Sequence, residues 1–308
     1  MEKNELRSFM DNIIYEFEKE NRHSSAHVYK STKNAFTAFM NARRIQKFKF
    51  CVELLKAFEE YLIEKRLSWN TISTYMRMLR ATYNRAVAKG RAKYIPYLFK
   101  SVYTGVQSNI KRALPPEIMA RLIDEETMRI YPESKWFALM FLLRGIPFVD
   151  LTHLRKSDFN GKIITYRRHK TRKELSVSIP NEAMDIIYRN MDETSSPYLF
   201  PILNGAIKGK DAYKNYQSEL RKFNYRLGQI AKKMELNTKL SSYVARHTWA
   251  TTAYHQKTPM GIISNALGHS SIKVTEAYLK PFDNNELNNV NFAVISYITG
   301  CRKNVVTS

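Results

Sequence analysis

Apolar residues recur at helical spacing through the first part of the chain. Val52, Leu55, Phe58 and Leu62 define an amphipathic segment over about 52–66. Leu67-Ser68-Trp69-Asn70 interrupts it, and Ser68 or Asn70 can cap the helix that follows. That helix, roughly 71–89, sets Ile72, Met76, Leu79, Tyr83 and Val87 on one face. Two earlier segments, about 8–20 and 27–42, share the period, and the second runs into Arg43-Arg44. The pattern breaks near 101–116 at Ser101, Gly105, Ser108 and Pro115-Pro116, which predicts a linker at about 106–112. Helices are expected again near 116–130 and 134–143. The character then changes. Leu175, Val177 and Ile179 alternate with Ser176 and Ser178, a half-buried strand, with Ile163-Ile164-Thr165-Tyr166 as its partner. Between them runs the cationic connection Arg167-Arg168-His169-Lys170-Thr171-Arg172-Lys173. Helical spacing resumes near 181–191, 211–234, 243–256, 259–267 and 271–279. The prediction is a mainly α protein with a small β-hairpin: a helical domain over 1–105 and a mixed α/β domain over 113–308.

Charge narrows the partner. The 308 residues hold 50 Lys plus Arg against 28 Asp plus Glu, a formal +22. An excess of that size suits a polyanion, because each cation set against a phosphate releases condensed counterions. Arg77, Arg80, Arg85 and Lys89 lie mostly off the apolar face of the fourth helical segment. With Arg43 and Arg44 they form a cluster suited to tracking a phosphate backbone, although any one of them alone reads as a solvated helix face. Two distant cysteines, Cys51 and Cys301, offer neither a disulfide framework nor a metal-ligand pattern. The charged start of the chain lacks the apolar core of a signal peptide, and the apolar run from Trp136 to Leu143 is too short to span a bilayer. These features predict a cytoplasmic, nucleoid-associated protein with no membrane role. No P-loop or metal-site spacing is visible, so no cofactor is expected.

Candidate chemistry gathers in the last third. Cutting a phosphodiester needs a nucleophile, cations for the nonbridging oxygens, and an acid for the leaving oxygen. Arg246-His247, then Leu267-Gly268-His269, then Thr275 and Tyr278 occur in that order. This run resembles the signature of the tyrosine recombinases, the phage-integrase superfamily. Arg246, His247, Ala250 and Thr251 also match the family's arginine motif. Leu67-Ser68-Trp69-Asn70-Thr71-Ile72-Ser73-Thr74-Tyr75, with Leu79 and Asn84-Arg85-Ala86, resembles its SAM-like core-binding domain.

The resemblance implies a two-domain, C-shaped clamp on duplex DNA. It makes Tyr278 the nucleophile that forms a 3′-phosphotyrosine. Arg246 grips the phosphate bidentately, and His269 donates to a nonbridging oxygen. Lys170 protonates the departing 5′ oxygen, a role that Arg168, Arg172 or Lys173 beside it could also fill, and these three otherwise contact DNA. His247 reads as a packed or capping residue. Two departures stand out. Tyr243 replaces the usual histidine three residues before Arg246, and it can donate a hydrogen bond but accepts a proton poorly near pH 7. The family's first catalytic arginine aligns with Pro147, while Arg144 stands before the glycine, as in integrases of the Bacteroides type. Arg144 is expected to reach the same phosphate from a shifted position, or else to pair with Asp150.

The core-binding resemblance begins early and leaves no room for an arm-type domain. That suits an invertase or resolvase acting on short inverted repeats. A homotetramer working through a Holliday junction is implied, with accessory DNA-bending proteins an open addition. Val290 to Ile298 suits docking into a neighbouring subunit, as the family's C-terminal helix does, or else packing on its own domain. The competing readings are a catalytically silent DNA-binding protein and a type IB topoisomerase-like enzyme, with RNA binding last.

Overall fold

The computed structural model describes residues 3–107, 112–203, 205, 209–276, 278–279, 288 and 291–296. The chain divides into two compact units. One is Met1–Asn109 with Ile207–Lys214, and the other is Ile110–Ala206 with Asn215–Ser308. Residues 108–111 of the expected linker lie outside the described residues.

The apolar stripes of the first unit fold as four helices: α1 (Lys3–Lys19), α2 (His23–Ala42), α3 (Val52–Glu64) and α4 (Trp69–Ala88). Ser68 caps α4, its hydroxyl accepting from the Thr71 amide at 3.3 Å. Leu55, Phe58, Ile72, Met76 and Leu79 are buried to the last few per cent of their surface. Phe36 and Phe58 meet edge-on with ring centres 5.0 Å apart. Each such side chain contributes about 1.5–3 kcal/mol by leaving water.

The second unit opens with α5 (Pro116–Leu122) and α6 (Glu125–Ile130), where a single helix was expected over 116–130. Asp124 divides them. Its carboxylate accepts from the Glu126 and Thr127 amides and starts a new helix, an alternative that an aspartate offers the backbone. Next come α7 (Ser134–Leu142) and a left-handed turn at Arg144 (φ 56°) and Gly145 (φ 67°). The turn leads into α8 (Phe148–Thr152), too short for apolar periodicity to register. Strands β1 (Ile163–Arg167) and β2 (Glu174–Ser178) pair antiparallel, with Ile164 opposite Val177 and Tyr166 opposite Leu175.

The remaining helices are α9 (Asn181–Tyr188), α10 (Gly209–Lys233), α11 (Ser242–His255), α12 (Met260–Ala266) and α13 (Ile272–Glu276). α13 stops short of the expected 271–279. A turn, with the Tyr278 amide on the Thr275 carbonyl at 2.9 Å, carries the chain to Tyr278. α11 runs through the interior. Val244, Ala245 and Ala250 join its apolar cores, yet Arg246, His247, Thr248 and Thr251 are buried on it as well. Of the expected apolar tail, residues 291–296 are helical, with Phe292, Val294 and Ile295 exposed; Val290 and Ile298 lie outside the described residues.

Candidate active site

A buried arginine is costly unless its donors find acceptors. Arg246 keeps only 2% of its surface exposed. Its Nη1 donates to the Gly145 carbonyl at 2.8 Å, and its Nη2 donates to the Leu267 carbonyl at 2.5 Å and to His269 Nε2 at 2.9 Å. Its Nε–H is buried with no acceptor. Burial, and then the neighbouring Arg168, lower the Arg246 pKa, but guanidinium starts so high that it remains charged. The approach of backbone to arginine depends on Gly145. A Cβ added there would sit 3.1 Å from Arg246 Cα.

Arg168, expected at the DNA surface, is placed otherwise. It is buried, with Nε on Asp150 Oδ2 at 2.7 Å and Nη1 on the same Leu267 carbonyl that Arg246 uses. The Asp150 carboxylate, itself buried, also accepts from the His169 amide at 2.8 Å. One main-chain oxygen thus joins two guanidiniums, and one carboxylate offsets them. Gly268 follows that oxygen at φ 66°. A Cβ there would meet Leu175 Cδ1 at 2.9 Å and Arg168 Cγ at 3.3 Å, so β2 and Arg168 press on the turn.

His269 is the third member of the cluster. Arg246 has donors only, so His269 Nε2 accepts, and its protonated Nδ1 donates to Thr275 Oγ1 at 2.8 Å. Burial first, then Arg246, Arg168, Lys170 and Lys173, push its pKa down to about 3. It is neutral near pH 7. Donation from Nε2 to a phosphate oxygen, the role expected of it, requires the other tautomer or a second proton. An arriving anion favours both.

Tyr278 lies over this cluster. Its ring centre is 5.5 Å from the Arg246 guanidinium carbon, 5.0 Å from the His269 ring and 4.7 Å from the His247 ring. Its hydroxyl meets the Tyr243 hydroxyl at 2.8 Å. His247 does more than pack. Its Nδ1 donates to the Tyr278 carbonyl at 3.1 Å, and Thr251 Oγ1 donates to the same oxygen at 3.2 Å. They stand four residues apart on α11, one above the other, and that spacing along a helix is the signal that reveals them.

Lys170 is exposed on the turn between β1 and β2. That turn is anchored just past Lys170, by Thr171 Oγ1 on the Gly268 carbonyl at 3.3 Å and by Lys173 Nζ on Asn265 Oδ1 at 3.1 Å. Arg172 is exposed there at φ 59°. Arg144 is tied elsewhere, its Nη1 donating to the Ser176 carbonyl on β2 at 3.3 Å. The Asp150 partner is Arg168 and not Arg144. In the first unit, Arg43 pairs with Glu64 at 2.9 Å, and Arg85 and Lys89 pair with Glu16 at 3.3 and 3.8 Å. Arg77 donates to the Ser73 carbonyl at 3.3 Å, while Arg44 and Arg80 are exposed.

A tyrosine hydroxyl above buried guanidiniums, one with an unanswered N–H, is suited to meet a phosphodiester and exchange its ester bond. Residues 5–102 match the phage integrase SAM-like domain, and residues 121–285, more than half of the chain, match the phage integrase family. Tyrosine recombinase XerA of Thermococcus onnurineus is 24% identical over 264 residues, spanning 74% of this chain and 90% of the relative. Tyrosine recombinase XerC of Bacillus licheniformis is 24% identical over 262 residues, spanning 81% and 83%. Among solved structures, the Tn1549 transposon integrase in complex with transposon right end DNA superposes with a TM-score of 0.63 at 15% identity, over 96% of this chain and all of that one. The XerH site-specific recombinase bound to its palindromic substrate gives 0.64 at 17%, over 87% and 79%. The chain belongs to the phage integrase family and is a site-specific DNA recombinase.

Among the described residues no helix is long and apolar enough to cross a membrane.

Proposed function

We propose that Tyr278 is the nucleophile of this recombinase and that Arg246, Arg168, His269 and Lys170 serve the scissile phosphate. The observation that carries the reading is the Arg246 Nε–H, buried without an acceptor beneath the Tyr278 ring. An unpaired buried N–H costs about 1–3 kcal/mol, and a nonbridging phosphate oxygen would answer it. In the step, Tyr278 Oη bonds to phosphorus while the bond from phosphorus to the 5′ oxygen breaks. That oxygen leaves with the electron pair and takes a proton from Lys170. The phenol proton passes to solvent. The freed 5′ hydroxyl then attacks a partner strand's phosphotyrosine and reverses the step.

Arg168 takes the part of the second guanidinium where Pro147 stands in the aligned arginine position. Its Nε and Nη1 are held by Asp150 and Leu267, which leaves Nη2 for a ligand. Arg144, bonded to Ser176, is then a cation of the hairpin edge. Arg43, Arg44, Arg77, Arg80, Arg85, Lys89, Arg172 and Lys173 hold the DNA backbone in this reading. The first unit is a core-binding domain, and the substrate is duplex DNA with short inverted repeats. A homotetramer acts on it in the cytoplasm at the nucleoid, with accessory DNA-bending proteins as helpers. The DNA-bound Tn1549 and XerH neighbours support duplex DNA as the substrate. The exposed apolar Phe292, Val294 and Ile295 support docking of the tail between subunits.

Long-read sequencing of cells carrying the wild-type chain or Tyr278→Phe tests the core of this. Rearranged junctions confined to wild-type cells are expected and would name the sites. Equal rearrangement in both populations sinks Tyr278 as the nucleophile.

A further inference from the structure

Tyr243, Arg246 and His247 share one face at the start of α11, and each touches Tyr278. The Tyr243 and Tyr278 hydroxyls are 2.8 Å apart, their rings 5.8 Å apart at 25°. The other charged or titratable groups facing Tyr278 are the Arg246 guanidinium and the His247 ring from α11 and the His269 ring from the turn after α12. His247 spends its Nδ1 on the Tyr278 carbonyl, and His269 spends both ring nitrogens on Arg246 and Thr275. Among the described residues, the Tyr243 O–H lies on the nucleophilic oxygen itself.

We infer that Tyr243 holds the Tyr278 hydroxyl for attack and donates its own hydrogen bond to that oxygen as it gains negative charge, a role that rests on Tyr278 being the nucleophile. In the neutral pair either hydroxyl can donate. Once Tyr278 sheds its proton, only Tyr243 still has one to give. The contact then becomes a charge-assisted O–H···O⁻ bond, about twice as strong as its neutral form. Desolvation, followed by the nearby Tyr278, pushes the Tyr243 phenol up to about 12, so Tyr243 keeps its proton near neutral pH. The tyrosine addresses the nucleophile.

The test uses the full chain labelled at the ζ carbon of tyrosine, read by carbon NMR as pH rises, with Tyr278→Phe assigning the signal. Tyr243→Phe removes one oxygen from a ring that is 44% exposed. It should raise the Tyr278 titration midpoint by about one pH unit, which corresponds to a tenfold loss of phenolate near neutral pH. Tyr243→His, which restores an N–H donor, should return the midpoint toward wild type and serves if the phenylalanine variant folds poorly. An unchanged or lowered midpoint in both variants overturns the inference. On the DNA site mapped from the junctions, Tyr243→Phe should form covalent adduct about tenfold more slowly at pH 7, with the deficit shrinking as pH rises. Faster cleavage, or a deficit that ignores pH, also overturns it. Covalent adduct from Tyr278→Phe would instead sink the nucleophile assignment, and the NMR result would stand apart from it.

Discussion

The first unit buries none of its described arginines, whereas the second buries two. In the first, Arg43, Arg85 and Lys89 stand at the surface against Glu64 and Glu16. Such pairs are exposed to water and worth little. In the second, Arg246 and Arg168 are buried, and their geometry is fixed by carbonyls and by one carboxylate. The surface side chains can change rotamer at little cost. The buried ones cannot, and that fixity is what a transition state requires. Charge count alone cannot tell these uses apart. Burial and the identity of the acceptor can.

The sharpest break would come at the buried centre. Arg246→Lys should cut covalent adduct formation by at least about 100-fold, because an ammonium cannot reproduce the planar fork. Binding of the same DNA in a gel shift should change little. Near wild-type cleavage would place Arg246 outside the chemistry. Next, Arg168→Met should cost about 3–5 kcal/mol in urea unfolding, because Asp150 is left buried without its counter-charge. A loss no larger than that of a surface pair would remove the contrast between the units.

Gly268→Ala should cost about 1–3 kcal/mol, through its positive φ and its close contact with Leu175. The effect of pH follows from His269. Free histidine titrates near 6.5, and in the fold His269 titrates at about 3. Between those values the unfolded chain binds a proton that the folded chain refuses. This contribution is fully present above pH ~6.5 and is lost as pH falls toward 3, at up to about 1.4 kcal/mol per pH unit. The His153 and His169 pKa values are also lowered, chiefly by burial, and they add to the slope. Urea midpoints at pH 5 and pH 7 should therefore converge in part in His269→Asn. Smallest of all, Arg43→Ala and Arg85→Ala should each move stability by less than about 0.5 kcal/mol. If they do contact DNA, each should lower the salt slope of binding by about one. A slope that does not change would leave them as ordinary surface residues.

The family, the helical character of the chain and the β-hairpin were legible because their signals are contiguous. Leu267, Gly268, His269, Thr275 and Tyr278 sit within one short run, and the apolar periods of α3 and α4 span several turns each. The burial of Arg168 was not legible. It depends on Asp150, eighteen residues earlier, and on a main-chain oxygen that any residue supplies. Tyr243 read as a departure from a motif. Its meeting with Tyr278 spans 35 positions and shows only in three dimensions. The helix break at Asp124 follows from capping chemistry that competes with the surrounding apolar period. α8 is too brief to carry a period at all.

The oxygen of Leu267 receives both buried guanidiniums, yet the Leu267 side chain points into the small core with Ala250, Ile263 and Leu279. The acceptor belongs to the peptide bond, so no substitution can delete it. In a saturation library, position 267 should therefore rank its variants by apolar volume and shape. A residue that ties two buried guanidiniums together would carry the mutational fingerprint of an ordinary core leucine.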